Sequence, residues 1–168
     1  QQRLAGYLSH QLGAFSVEAD AFVANNTYRS VSRSFNLGNV SRSETGETDG
    51  HQSGMRLTGR YHWQSGVWTV SPLLGVAYEN IHVAGYGENG AASTAMRFGQ
   101  QSWSGWQGRV GVDVAAQWGR FMPYARAEWV HQFNTRAHTL DAAIQSQPGQ
   151  FSTELAQPER SWGLLRSE

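Results

Sequence analysis

Three groups of residues have types and spacings that could do chemistry. Gly85, Gly87 and Gly90 fit the G-x-G-x-x-G pattern, but Ala91, Ala92, Ser93 and Thr94 follow and lead into strand-like sequence. A pyrophosphate needs a helix N-terminus at that point, so dinucleotide binding is set aside. Six histidines stand at 10, 51, 62, 82, 131 and 138, with no H-E-x-x-H and no close carboxylate partner. They read as surface or interfacial side chains rather than as metal ligands. Neither Gly-x-Ser-x-Gly nor Gly-Asp-Ser-Leu occurs, so no familiar serine-hydrolase elbow can be placed and no catalytic residue is expected. The third group is a set of charges: Glu18 and Asp20, Arg56 and Arg60, Arg109 and Asp113, Arg126 and Glu128. Each pair is an even number of residues apart, which on a strand puts both side chains on one face. Charges gathered there can neutralise one another and stiffen a wall, or grip a chain lying against it. Neither role calls for a cofactor or a metal.

The elements that must position these charges alternate with period two. Residues 55–78, MRLTGRYHWQSGVWTVSPLLGVAY, read as two strands joined by a tight turn at Ser65 and Gly66, with Gln64 opposite Val67. A glycine in a two-residue loop suits a primed turn. One face then carries Met55, Leu57, Gly59, Tyr61 and Trp63 opposite Val76, Leu74, Pro72, Val70 and Trp68. The other carries Arg56, Thr58, Arg60, His62 and Gln64 opposite Gly75, Leu73, Ser71, Thr69 and Val67. Each strand has about the 9 to 11 residues that a tilted membrane strand needs. The same alternation runs through 106–118 and 121–133, joined by Gly119 and Arg120. That register puts Asp113 opposite Arg126 and Arg109 diagonal to Glu128. Aromatic residues stand at the ends of the oily face: Trp63, Trp68, Trp118 and Phe121 at one rim, with Trp106, Trp129 and Phe133 toward the other. Trp106 and Trp118 are twelve residues apart; with a usual strand rise and tilt this is about 30 Å along the normal, the height of a bilayer band with its girdles. Upstream, Leu4, Gly6 and Leu8 begin another hairpin that turns near Leu12 and Gly13, after which Phe15, Val17 and Ala19 alternate with Ser16, Glu18 and Asp20. The pattern weakens from Asn25, and a last strand starts at Ser161.

Composition agrees with a membrane β-protein. The chain has 19 Gly and 7 Trp among 168 residues and only 15% charged residues, against roughly 25% in soluble domains. Its longest uncharged apolar run falls far short of the ~20 residues of a membrane helix, so any crossing must be by strands. Thirteen basic and thirteen acidic residues cancel without a basic block, which argues against a nucleic-acid partner. No cysteine occurs, which excludes disulfides and thiolate sites and suits passage through an oxidising periplasm. Connections near 12–13, 65–66 and 119–120 are tight, whereas 38–54, 85–101 and 134–159 are long and polar. Short periplasmic turns and long extracellular loops have this alternation. The expected fold is therefore all-β: an antiparallel up-and-down transmembrane β-barrel, here an incomplete set of about seven strands, with the three long loops extracellular. The competing readings are a porin-like channel and a soluble ligand-binding β-barrel. Gln1-Gln2-Arg3 opens directly in strand-like sequence with no signal peptide, as in a mature or excised piece.

Within 71–133, the segments SPLLGVAYENIHVAGYGENG, STAMRFGQQ and GRVGVDVAAQWGRFMPYARAEWVHQF resemble the autotransporter β-domain of secreted GDSL-family esterases and lipases. The resemblance implies that 1–168 is the middle of a translocator barrel, strands four to ten of twelve, in a Gram-negative outer membrane. It also implies an N-terminal esterase passenger, a linker helix threading the lumen, closing strands outside this chain, and insertion by the barrel-assembly machinery. On that reading the chain itself is no enzyme, and some of the eight charges contact the threading helix or passenger.

Overall fold

A computed structural model describes residues 1–90, 93–134, 139–154 and 159–167. Among them there is no helix, and twelve strands form one antiparallel sheet: β1 (Gln2–Leu12), β2 (Phe15–Leu37), β3 (Val40–Tyr61), β4 (Trp63–Ser65), β5 (Trp68–Val83), β6 (Tyr86–Asn89), β7 (Met96–Phe98), β8 (Gln101–Ala116), β9 (Tyr124–Gln132), β10 (Thr139–Ile144), β11 (Phe151–Glu154) and β12 (Ser161–Ser167). The passes that build the wall follow one another as β1, β2, β3 with β4, β5, β8, β9 and β12, which is the expected seven. Among the described residues β1 pairs only with β2 and β12 only with β9, so the sheet is open at both edges.

Turn chemistry fixes the ladder. Gly13, Gly38, Gly66 and Gly119 each have φ near +60° (62, 59, 60 and 59), while among the described residues no other residue type has positive φ. Each is the first of two central residues, since Leu12 pairs with Phe15, Leu37 with Val40, Ser65 with Trp68, and Trp118 with Phe121. Glycine first with a following residue of negative φ is the type II′ pattern; type I′ would need both positive. This corrects the central hairpin. The turn is Gly66–Val67, not Ser65–Gly66, so Trp63 faces Val70 and Met55 faces Tyr78. The pairing moves by two residues, and because strand side chains alternate with period two, every residue keeps its face.

Segment 38–54 is the main departure from expectation. It is a tight turn at Gly38 and Asn39 followed by β3, which pairs with β2 over its whole length. The segment is polar because this part of the hairpin stands above the membrane and meets no lipid. Tyr28, Val31 and Phe35 on β2 carry the strand preference, and the backbone ladder imposes it on the partner. Between Tyr28 and Val31 a bulge sets two residues of β2 against one of β3. The inward positions of β2 therefore change from even numbers (Asp20, Phe22, Ala24) to odd ones (Val31, Arg33, Phe35). That exchange is why the alternation fades in the sequence after Asn25. The other two long connections also contain strands. β6, β7, β10 and β11 continue the sheet above the membrane, with β6 taking over from β5 as the partner of β3 at Thr45 and Gly46.

The wall has no two-sided core. Large apolar side chains of β1, β3, β5, β8 and β12 lie exposed on the outward face, among them Leu8, Leu57, Leu74, Val110 and Leu165. The inward face buries polar groups, Thr58, Ser71 and Asp113, together with one leucine, Leu73. An apolar surface of this extent is suited to hydrocarbon. Leu74, 69% exposed on the outward face, lies mid-band, while Leu37 stands at the tip above the membrane. In denaturant titrations of the full-length protein in lipid vesicles, Leu74→Arg should cost about 2 to 4 kcal/mol and Leu37→Arg about 0 to 1. Equal costs would contradict this placement.

Candidate functional site

The eight charges share one face of the sheet, and the structure joins six of them across β2, β3, β8 and β9. Arg60 meets Glu18 at 2.5 Å on one side and Asp113 at 3.5 Å on the other. Asp113 accepts two bonds from Arg126, at 2.5 and 2.8 Å, in the expected register. Arg126 lies 3.7 Å from Glu128, which takes Arg109 at 2.6 Å along the expected diagonal. Asp20 and Arg56 form a looser pair at 3.9 Å. Arg60 and Asp113 belong to strands flanking β5, about 9 to 10 Å apart, and they meet because the inward positions of β5 beneath them are Ser71, Leu73 and Gly75. Gly111 does the same for the Arg109–Glu128 pair. A Cβ there would stand 2.5 Å from the Ala127 carbonyl oxygen and 2.8 Å from Glu128 Cγ.

Only part of the row is dry. Asp113 is 8% exposed and Glu128 keeps 7% of its side-chain surface, whereas Arg56 and Asp20 remain half open. The open portion forms a cavity of about 390 Å³ lined by all of the charges but Asp113, together with Leu164 and Arg166 of β12. Among the described residues, one buried side-chain polar atom lacks a hydrogen bond, Arg60 Nε, which lies in the middle of the row. Near the lower rim the same face holds His62, which breaks β3 from β4 and bonds Ser16 Oγ through Nε2 and Ser71 Oγ through Nδ1, both at 2.9 Å. Ion pairing with complementary hydrogen bonds is what the row can do; nothing in it presents an activated nucleophile.

The aromatic residues lie on the outward face of the sheet. Trp68 and Trp118 meet edge to face at 5.7 Å, with Trp63 and Phe121 exposed beside them. At the other rim Trp106 packs on Tyr78 at 4.9 Å, and Trp129, His131 and Phe133 form a column with ring separations of 5.5 and 5.2 Å. The structure adds Phe15 with Tyr61, 4.8 Å apart, to the lower girdle. Their alternation was visible in the sequence, but their partnership needed the β2–β3 register. His138 lies outside the described residues, as do parts of the long segments 85–101 and 134–159.

A second charged cluster, absent from the sequence reading, ties the upper strands together. Arg33 donates to both carboxylate oxygens of Glu88, at 2.9 and 2.6 Å, and to the Thr94 carbonyl at 2.9 Å. Thr94 Oγ1 donates to Glu44, and the Met96 N–H to Glu88. The Arg33 guanidinium holds the Glu88 carboxyl below the usual carboxylate range, outweighing the opposing effect of desolvation.

A sheet with lipid on one side and a charged pore on the other is the wall of an outer-membrane β-barrel. Residues 1–167 match the autotransporter β-domain family, and the chain belongs to it. This places it in the outer membrane of a Gram-negative bacterium. Lipase 1 of Photorhabdus luminescens is 31% identical over 147 residues, covering 87% of this chain and 23% of that protein. Esterase EstA of Pseudomonas aeruginosa is 29% identical over 142 residues, covering 79% and 21%. The chain thus spans under a quarter of the length of these curated relatives. Among solved structures, a major outer membrane protein from Thermus thermophilus aligns over 98% of this chain and 88% of its own at 16% identity, with a TM-score of 0.45.

Two measurements check the site. A double-mutant cycle on Asp113→Asn and Arg126→Gln should return a coupling of about 1 to 3 kcal/mol, because the pair is bidentate and half-buried; zero coupling would mean that the pair is absent. The second concerns pH. Glu88 has a depressed folded-state pKa, so its contribution is present above the unfolded value near 4.3 and is lost as pH falls through the folded one. Hydrogen-exchange protection at β6 and β7, taken relative to the intrinsic rate at each pH, should fall in acid below about pH 4, and Glu88→Gln should remove that acid dependence.

Proposed function

We propose that residues 1–168 are part of a translocator and anchor barrel that assists export of an N-terminal esterase passenger and displays it at the cell surface. The carrying observation is the inward row from Glu18 to Arg109, four arginines and four carboxylates that neutralise one another and leave a cavity open beside them. A wall of this kind is polar enough to let a peptide pass, and the pairing of its eight charges with one another weakens their hold on one, although Arg166 adds a positive charge beside the row. The names of the relatives, a lipase and an esterase, support the passenger's class, and the unpaired edges of β1 and β12 support closure by strands outside 1–168. A linker helix would lie against the row, beside its more open members Arg56 and Asp20. The barrel-assembly machinery would insert the whole, and this chain would do no ester chemistry.

The test uses the full-length protein in a Gram-negative host, comparing ester hydrolysis by intact cells with that of lysates. Arg60→Glu with Arg126→Glu should lower the surface fraction several-fold while total activity in the lysate is retained. Unchanged display after deletion of 1–168 would refute the translocator role. So would ester hydrolysis by the purified chain that is abolished by changing one of its own serines.

A further inference from the structure

Two histidines far apart in the sequence face each other on the outward surface. His51 on β3 and His82 on β5 are direct partners in the ladder. They are brought together by the true register, since a turn at Ser65 and Gly66 would have set His51 against Asn80. Partners in an antiparallel pair hold their Cβ atoms about 4.5 to 5.5 Å apart on one face. Each ring is fixed from its far side. Asn25 on β2, the ladder partner of His51, accepts from His51 Nδ1 through Oδ1 at 2.7 Å. Ser102 on β8, the ladder partner of His82, bonds His82 Nδ1 through Oγ at 2.7 Å.

The chemistry of the imidazole ring gives this row its meaning. An amide oxygen only accepts, so Nδ1 of His51 carries the proton and Nε2 keeps its lone pair. Ser102 can hold His82 in the same tautomer. Nε2 lies on the side of the ring away from Nδ1; with both Nδ1 atoms drawn outward to Asn25 and Ser102, the two Nε2 edges turn toward the gap between β3 and β5. Two neutral imidazoles, each oriented through its other nitrogen by an oxygen, are the arrangement in which histidine binds transition metals. The row lies four residues beyond Tyr78 and Trp106, about 10 Å above the aromatic rim, at head-group level and open to water. Asp49, the next outward position on β3, adds negative charge nearby.

We propose that His51 and His82 form a surface site for a borderline divalent transition ion such as Zn²⁺, with Asn25 and Ser102 as positioning residues. Imidazole favours such ions, whereas Mg²⁺ and Ca²⁺ take oxygen ligands. Among the described residues no three His, Cys, Asp or Glu side chains converge, so two protein ligands hold the ion and its other positions take water or lipid phosphate. Both histidines bind the ion as neutral imidazoles.

The test uses metal-free, full-length protein in detergent micelles. Titrated with Zn²⁺ by calorimetry, it should bind one ion more than the His51→Gln/His82→Gln double variant. Asn25→Ala should weaken that site about tenfold, and His131→Gln, an outward histidine bonded to Ser161 whose ladder partners are Ser161 and Gly108, should leave it unchanged. Electron paramagnetic resonance of Cu²⁺ on the unaltered protein needs no variant and should report two imidazole nitrogens on one ion. Equal Zn²⁺ binding by the unaltered and double-variant proteins, or a single coordinated nitrogen, would overturn the proposal.

Discussion

Every backbone N–H and C=O within the hydrocarbon layer must find a partner in the protein, because lipid offers none and each orphan costs several kcal/mol. The architecture follows from that requirement. A strand satisfies itself only through its neighbours, so the seven passes form one sheet with two-residue connections at the lower rim. The glycines at 13, 66 and 119 matter there for their dihedral angle: the twist of adjoining strands demands positive φ at the first turn position. Once the ladder is set, the outward face takes large apolar groups and the inward face takes charge.

Charge on the inward face is stable for a reason that lies on a different strand. The long side chain of Arg60 on β3 reaches Asp113 on β8 across β5, whose inward positions there are the uncharged Ser71, Leu73 and Gly75. Six of the charges form a chain rather than isolated pairs, so ordering Arg60 or Arg126 once serves two carboxylates. A double neutralisation of this kind offsets more of the desolvation of Asp113 than either contact alone would.

Faces were legible in the sequence because parity survives errors of register. Moving the central turn by one residue changed every cross-strand partner in that hairpin, yet Arg56, Arg60 and Trp63 stayed on their assigned sides. The β8–β9 hairpin was read correctly down to the Asp113–Arg126 pair, since Gly119 has no competing neighbour for the first turn position. At Ser65–Gly66 the turn position was ambiguous, and only glycine's positive φ resolves it in favour of Gly66–Val67. Segment 38–54 was illegible for a different reason. Period-two hydrophobicity records contact with an apolar medium, and a strand hydrogen-bonded to its neighbour above the membrane has none to record.

The bulge after Tyr28 shows how the two regions are coupled. Without it, Arg33 would fall on the outward face of β2, and Ser32 and Ser34 would point inward. The extra residue turns Arg33 inward, opposite Glu44 on β3, where it reaches Glu88 on β6. β3 is thus shared: its lower half pairs with β5 in the wall, and Thr45 and Gly46 pair with β6 in the upper sheet. Gly46 permits that hand-over, because a Cβ there would stand 2.6 Å from the Tyr86 ring. The upper sheet therefore extends the wall through a continuous strand and a buried ion pair, and the polar segment that looked like a free loop is the part that carries the connection.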